Sequence, residues 1–144
     1  MEDLIDILEI NIERAKIFEI TEEHLVKLKA ADYMNQNKFY FFLINKIHRF
    51  ENKKSTKELA YSHFLMSYFI FVFLTPLNFE ELSFYHINKA IDLDKTNLDF
   101  KEWILIFATL ELPLLDGSSA VRYANELIEN NIESNLANLI LTIF

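Results

Sequence analysis

An all-α protein is what this chain predicts, on three observations. Its 144 residues include one glycine, two prolines and no cysteine, with 51% hydrophobic and 15% aromatic content. Apolar residues recur every three or four positions, the spacing of one helix face. No segment alternates apolar and polar residues as a half-buried strand would, although residues 67–75 are strand-like in composition. Glycine supplies the positive-φ turns of phosphate loops, nucleophile elbows and tight hairpins, so a chain whose one glycine is Gly117 is a poor host for them. About eight helices in antiparallel hairpins, forming an α-α superhelix or a compact bundle, are expected within a single domain, residues 1–144.

The first predicted helix runs from Glu2 to Phe18, with Leu4, Leu8, Ile12 and Ala15 on one stripe that Ile5, Ile7 and Ile10 widen. Thr21, Glu22 and Glu23 open a second by capping and dipole complementarity, running to about Met34 with Leu25, Leu28 and Ala31 inward. Asn35 to Lys38 breaks the pattern. A third helix, Lys38 to Glu51, turns Phe39, Phe42, Leu43, Ile47 and Phe50 inward. Ser55 or Thr56 caps the fourth and most hydrophobic helix, which ends before Pro76 and should form the centre of the core. Asn78 caps a fifth, Phe79 to Asp92, and Thr96 or Asn97 a sixth, which carries Trp103, Ile106, Phe107 and Leu110 and stops before Pro113. Gly117 and Ser118 precede a seventh, Ser119 to Glu129, and an eighth spans Ser134 to Ile143.

Leu59 to Phe79 carries no Lys, Arg, Asp or Glu and is about as long as a membrane span. Its densely apolar part is only Phe64 to Leu74, so it reads as a buried central helix and no membrane partner is expected. The start, Met1 to Asp6, is acidic where an export signal is basic and then continuously apolar, which with the missing cysteines predicts a cytoplasmic protein.

Charge is unevenly spread within a net −8. Residues 1–37 carry nine acids and four bases, residues 38–57 one acid and six bases, and residues 58–144 twelve acids and four bases. The overall field disfavours nucleic acid and anionic membrane and attracts a basic protein. The basic stretch Lys38, Lys46, Arg49, Lys53, Lys54 and Lys57 interleaves with Phe39 to Phe42 and Phe50, a pattern able to stack and neutralise single-stranded nucleic acid. Because those aromatics fall largely on the core stripe and the flanks are acidic, a solvated face is the preferred reading, with no direct nucleic-acid contact.

Asn78-Phe79-Glu80-Glu81, Tyr85 and Lys89-Ala90-Ile91-Asp92-Leu93-Asp94 resemble the second helix of a tetratricopeptide repeat, and Ala124 echoes Ala90 after 34 residues. Lys95 stands where the family has proline, and the first-helix Trp, Leu, Gly and Tyr pattern is missing. The resemblance implies a fold built for protein contacts.

Signals for chemistry are weak throughout. Asp92 to Asp99 resembles half of a calcium loop, but Asn97 replaces the required glycine and Trp103 the bidentate glutamate. His24, His48, His63 and His86 lie on separate predicted helices without paired ligand spacing, so each reads as structural or peripheral. Adjacent carboxylates such as Glu22 with Glu23, or Glu80 with Glu81, suit the positive end of a helix dipole. No catalytic residue, cofactor or metal site is expected.

A small, acidic, cysteine-free helical chain without catalytic motifs resembles the immunity proteins of bacterial polymorphic toxins and contact-dependent growth inhibition systems. The resemblance implies an inhibitor that covers the active site or substrate groove of a basic toxin or nuclease domain, its carboxylates standing in for phosphates. Asp92, Asp94, Asp99, Glu102 and Asp116 are the candidate partner-binding residues, since they fall at helix ends and links where a repeat stack presents its edge. The alternative is an intracellular scaffold or adaptor using a tetratricopeptide-like groove. A lipid or small-ligand carrier would instead gather Phe64, Phe69, Phe71 and Phe73 around a cavity.

Overall fold

The computed structural model describes residues 3–144, and these contain helices and turns but no strand. The chain folds as two compact units, one extending to Leu93 and one from Asp94 to Phe144. The first holds α1 (Leu4–Leu8), α2 (Glu22–Val26), α3 (Tyr33–Lys53), α4 (Thr56–Phe69) and α5 (Phe79–Leu93). The second holds α6 (Leu98–Ile104), α7 (Gly117–Glu129) and α8 (Asn135–Ile143).

The amino-terminal third departs most from expectation. Glu2, where the first helix was expected to begin, lies outside the described residues, and α1 ends at Glu9, whose φ of 58° is left-handed. Leu4, Leu8 and Ile12 are buried all the same, so the stripe marks inward residues without requiring one continuous helix. Polar side chains favour the turn: Asn11 Oδ1 accepts from the Glu13 amide at 3.1 Å, and the Glu9 carboxylate pairs with Lys27. A 3₁₀ turn follows at Ile17–Glu19.

The expected second helix is likewise cut to α2, because Asp32 caps a helix of its own, its Oδ1 accepting from the Asn35 amide at 2.9 Å. Asn35 and Gln36, which read as a break, are buried inside α3, and Gln36 Nε2 donates to the Leu28 carbonyl at 3.0 Å. Phe39, Leu43 and Ile47 form the inward stripe, with Phe42 and Phe50 half-buried.

The helix expected at the centre is there. α4 buries residues on all sides, among them Ala60, His63, Leu65, Met66 and Phe69, and it packs on both α3 and α5. Ser55 stands at its N-cap position without a side-chain capping bond. Phe39 meets Phe69 edge-on at 5.0 Å between ring centroids. Phe64 and Phe69 are core residues, and Phe71 and Phe73 are half-buried.

α4 and α5 run antiparallel and close together. Ser67 Oγ donates to the Ser83 carbonyl at 2.8 Å and Ser83 Oγ to the Ser67 carbonyl at 2.6 Å, a reciprocal clamp that satisfies both buried hydroxyls. Ala60 and Ala90, both fully buried, add no bulk to these two helices. α4 does not continue as an α-helix to Pro76. Ile70–Leu74 widens into a π turn, closed by the Thr75 amide donating to the Ile70 carbonyl at 2.9 Å.

Scarce glycine has not suppressed left-handed backbone. Glu9, Lys54, Thr75, Asn78 and Asn131 all have positive φ, whereas Gly117 does not. Lys54 ends α3 with the Ser55 amide bonded to the Phe50 carbonyl at 3.0 Å, the six-residue closure usually given to glycine. At Thr75, φ 40°, a β-branched side chain is held in the same region.

In the second unit three side-chain caps set the helix starts. Asn97 accepts from the Phe100 amide at 3.1 Å, Asp116 from Ser119 at 2.9 Å and Ser134 from Ala137 at 3.0 Å. α6 tightens to a 3₁₀ turn at Leu105–Ala108. Ala124 is fully buried on α7, and Ala90 on α5. Lys101 of α6 is buried and pairs with Glu126 of α7.

Two predictions follow from these contacts. Glu126→Gln leaves the Lys101 ammonium buried without its counter-ion and should lower unfolding stability by about 2 kcal/mol, with Lys101→Met/Glu126→Leu recovering most of it. Thr75→Gly, which removes the side chain from a left-handed site, should raise stability by about 1 kcal/mol. Urea denaturation of each variant against the parent measures both.

Candidate functional site

The clearest chemical grouping in the first unit is a pair of histidines that sequence spacing did not pair. His63 projects from the middle of α4 and His86 from the middle of α5, and their Nδ1 atoms lie 2.8 Å apart, with ring centroids at 5.1 Å. The clamp of Ser67 and Ser83 lies one helical turn away and holds the two helices at the distance this contact needs. The signal available was the hairpin itself. Positions nearly equidistant from the Thr75–Pro76 turn face each other, which matches His63 with His86 and Ser67 with Ser83.

A hydrogen bond between two Nδ1 atoms requires one ring to carry the proton there and the other to accept it. Burial pulls both imidazoles down to about 4; the Lys89 ammonium adds to the effect at His63, and His63 itself adds to it at His86. At neutral pH the pair is therefore uncharged. His63 also lines a cavity of about 370 Å³ with Glu51, Tyr85, Lys89 and Asp92. His86 lines another, about 330 Å³, with Tyr40, Phe41, Ile70, Leu74 and Leu82. The hydrogen-bonded rings thus connect a charged cavity to an apolar one. Among the described residues no group of three or more His, Cys, Asp or Glu side chains is placed to hold a metal ion.

The other two histidines act elsewhere. His24 Nδ1 accepts from the Thr21 amide at 3.0 Å, closing the first turn of α2, and His48 is exposed on α3.

The five acidic candidates divide between the units. Asp92 is exposed in the last turn of α5 and lines the cavity beside His63. Asp94 accepts from the Thr96 hydroxyl at 3.0 Å in the link before α6. Asp99 is exposed in the first turn of α6, and Glu102, half-buried, follows one turn later on the same side. Asp116 is exposed but serves as the N-cap of α7, and the Ser119 amide holds its carboxyl below the usual carboxylate range. Among the described residues no helix is long and apolar enough to cross a membrane.

The histidine pair sets a pH dependence. Unfolding returns both rings to the ordinary value of 6.5, so between there and about 4 the unfolded chain binds more protons than the folded one, and stability falls as pH falls. Unfolding free energy measured by urea denaturation should therefore drop between about pH 7.5 and about pH 5, and His63→Leu/His86→Leu should flatten that slope. No family model, curated protein or solved structure matches this chain.

Proposed function

We propose that this chain is a protein-binding inhibitor, an immunity-type protein acting in the cytoplasm, whose acidic second unit covers the active site or substrate groove of a basic toxin or nuclease domain. The observation that supports the reading is the charge of residues 94–144: eight acids against three bases, with one of those bases, Lys101, buried against Glu126. Lys95 and Arg122 are left as the exposed cations of this unit. The same unit exposes the apolar side chains Leu112, Ile128, Ile132 and Leu139. Apolar anchors within a charged rim are the composition of a tight, electrostatically steered interface.

Three helix caps keep this surface in a fixed geometry, so little ordering is needed on binding. The contacts also rank the candidate acids. Asp116 serves both as a cap and as a surface charge, whereas Asp99 and Glu102 can be changed without removing a cap.

Affinity purification of the tagged protein from its host at about 0.15 M and then about 1 M salt should retain a single stoichiometric basic partner. Asp99→Lys/Glu102→Lys should weaken that complex at least about tenfold, chiefly through slower association, while the thermal midpoint moves by no more than a few degrees. Unchanged affinity would remove this surface from the interface; several weak partners lost at high salt would favour a scaffold.

A further inference from the structure

Part of the basic stretch of α3 gathers at one place. Lys46, Arg49 and Lys53, spaced to share one face, line a cavity of about 250 Å³ into which the segment before the Ile17–Glu19 turn brings a fourth cation, Lys16. Phe18 and Phe50 form apolar wall, and Glu58 of α4 is the one carboxylate lining it. In a chain of net −8, four cations and one acid at a single cavity is a local reversal of sign.

The cavity is built from fixed parts. Glu19 Oε2 accepts from the Lys16 amide at 3.1 Å, Tyr61 Oη donates to the Ile20 carbonyl at 2.6 Å, and the Phe18 ring rests on Tyr61 at 5.3 Å between centroids. These contacts pin the turn to α4, and α3 supplies the opposite wall. Lys46 Nζ lies 5.6 Å from the centre of the Phe42 ring. Burial first, and then the nearby charges of Arg49 and Lys53, push the Lys46 ammonium below its ordinary value. Among the described residues none of the four cations makes an ion pair.

We propose that this cavity binds a nucleoside monophosphate, its phosphate held by Lys46, Arg49 and Lys53 and its base placed against Phe18 and Phe50. A phosphate dianion neutralises the clustered ammonium and guanidinium groups through charge-assisted hydrogen bonds, and Arg49 offers the planar fork that suits two phosphate oxygens. A base has the flat face that an aromatic ring stacks against, and the exposed Phe18 and half-buried Phe50 offer two such rings at this cavity. The volume sits just below the usual range of closed small-molecule pockets, room for a phosphate and one ring with the remainder of the ligand in solvent. The same chemistry occurs free in solution and at the end of a strand, and the test separates the two.

Isothermal titration of the full chain at about 0.05 M salt with adenosine monophosphate, inorganic phosphate, adenosine and an adenylate hexamer reads the proposal directly. The monophosphate should bind at least about tenfold more tightly than phosphate or adenosine alone, and Lys46→Gln/Arg49→Gln should weaken it by about tenfold or more with the circular dichroism spectrum unchanged. Lys38→Gln/Lys95→Gln, which removes two charges that do not line the cavity, should leave binding intact. Equal affinity for phosphate and the monophosphate, or no effect of the Lys46 and Arg49 changes, would overturn the assignment. Hexamer binding without monophosphate binding would overturn it in favour of a surface that tracks a strand. None of these outcomes depends on the acidic second unit, so they leave the inhibitor reading to its own test.

Discussion

The contact between α4 and α5 is where most of the first unit's chemistry converges, and it is an unusual seam for so apolar a chain. Two serines exchange hydrogen bonds with each other's carbonyl oxygens, and two imidazoles share one proton a turn away. Buried polar groups of this kind are tolerable only when each is satisfied, which ties the spacing and register of the helices to a few atoms. A one-residue slip along the hairpin would leave two hydroxyls and two ring nitrogens without their partners. Apolar packing of α4 on its other neighbours supplies the bulk of the driving force, but it fixes register less sharply.

Charge is sorted along the chain. The second unit exposes five of its eight acids and buries one of its three bases against Glu126. The first unit gathers cations from α3 and from the segment before Ile17 around a single cavity. Sorting of this kind concentrates field at two places instead of averaging it away, and electrostatic steering of a partner depends on that concentration.

Much of this architecture was legible in the residues. The all-α character, the central place of α4, the start of α6 after Asn97 and of α8 after Ser134 all follow from helical periodicity and capping chemistry, which are local. The amino-terminal third was misread for a physical reason: Leu4, Leu8 and Ile12 keep helical spacing and burial while Glu9 turns the backbone left-handed between them. Asn35 and Gln36 looked like a link because their polarity is visible in the sequence and the Leu28 carbonyl that Gln36 reaches is not. Of the candidate acids, Asp92, Asp94, Asp99 and Asp116 lie at helix ends or links while Glu102 lies within α6, and Asp116's double use as a cap emerges only from the coordinates. The histidine pair was invisible to rules built on spacings of three and four, since its members lie 23 residues apart and meet only when the hairpin closes.

The shared proton of that pair has a consequence of its own. Whichever ring donates through Nδ1 must leave its Nε2 bare, and its partner must then carry a proton on Nε2. Two residues that are the same letter in the sequence are thus chemically unlike at every instant, one a base and the other an acid at the outer nitrogen. Exchanging those identities takes two proton movements, one across the 2.8 Å between the Nδ1 atoms and one in the opposite sense between the outer nitrogens by way of solvent, and displaces no heavy atom. The hairpin therefore has two protomeric forms with one shape, distinguishable by nitrogen chemical shifts and indistinguishable by any measurement of overall form.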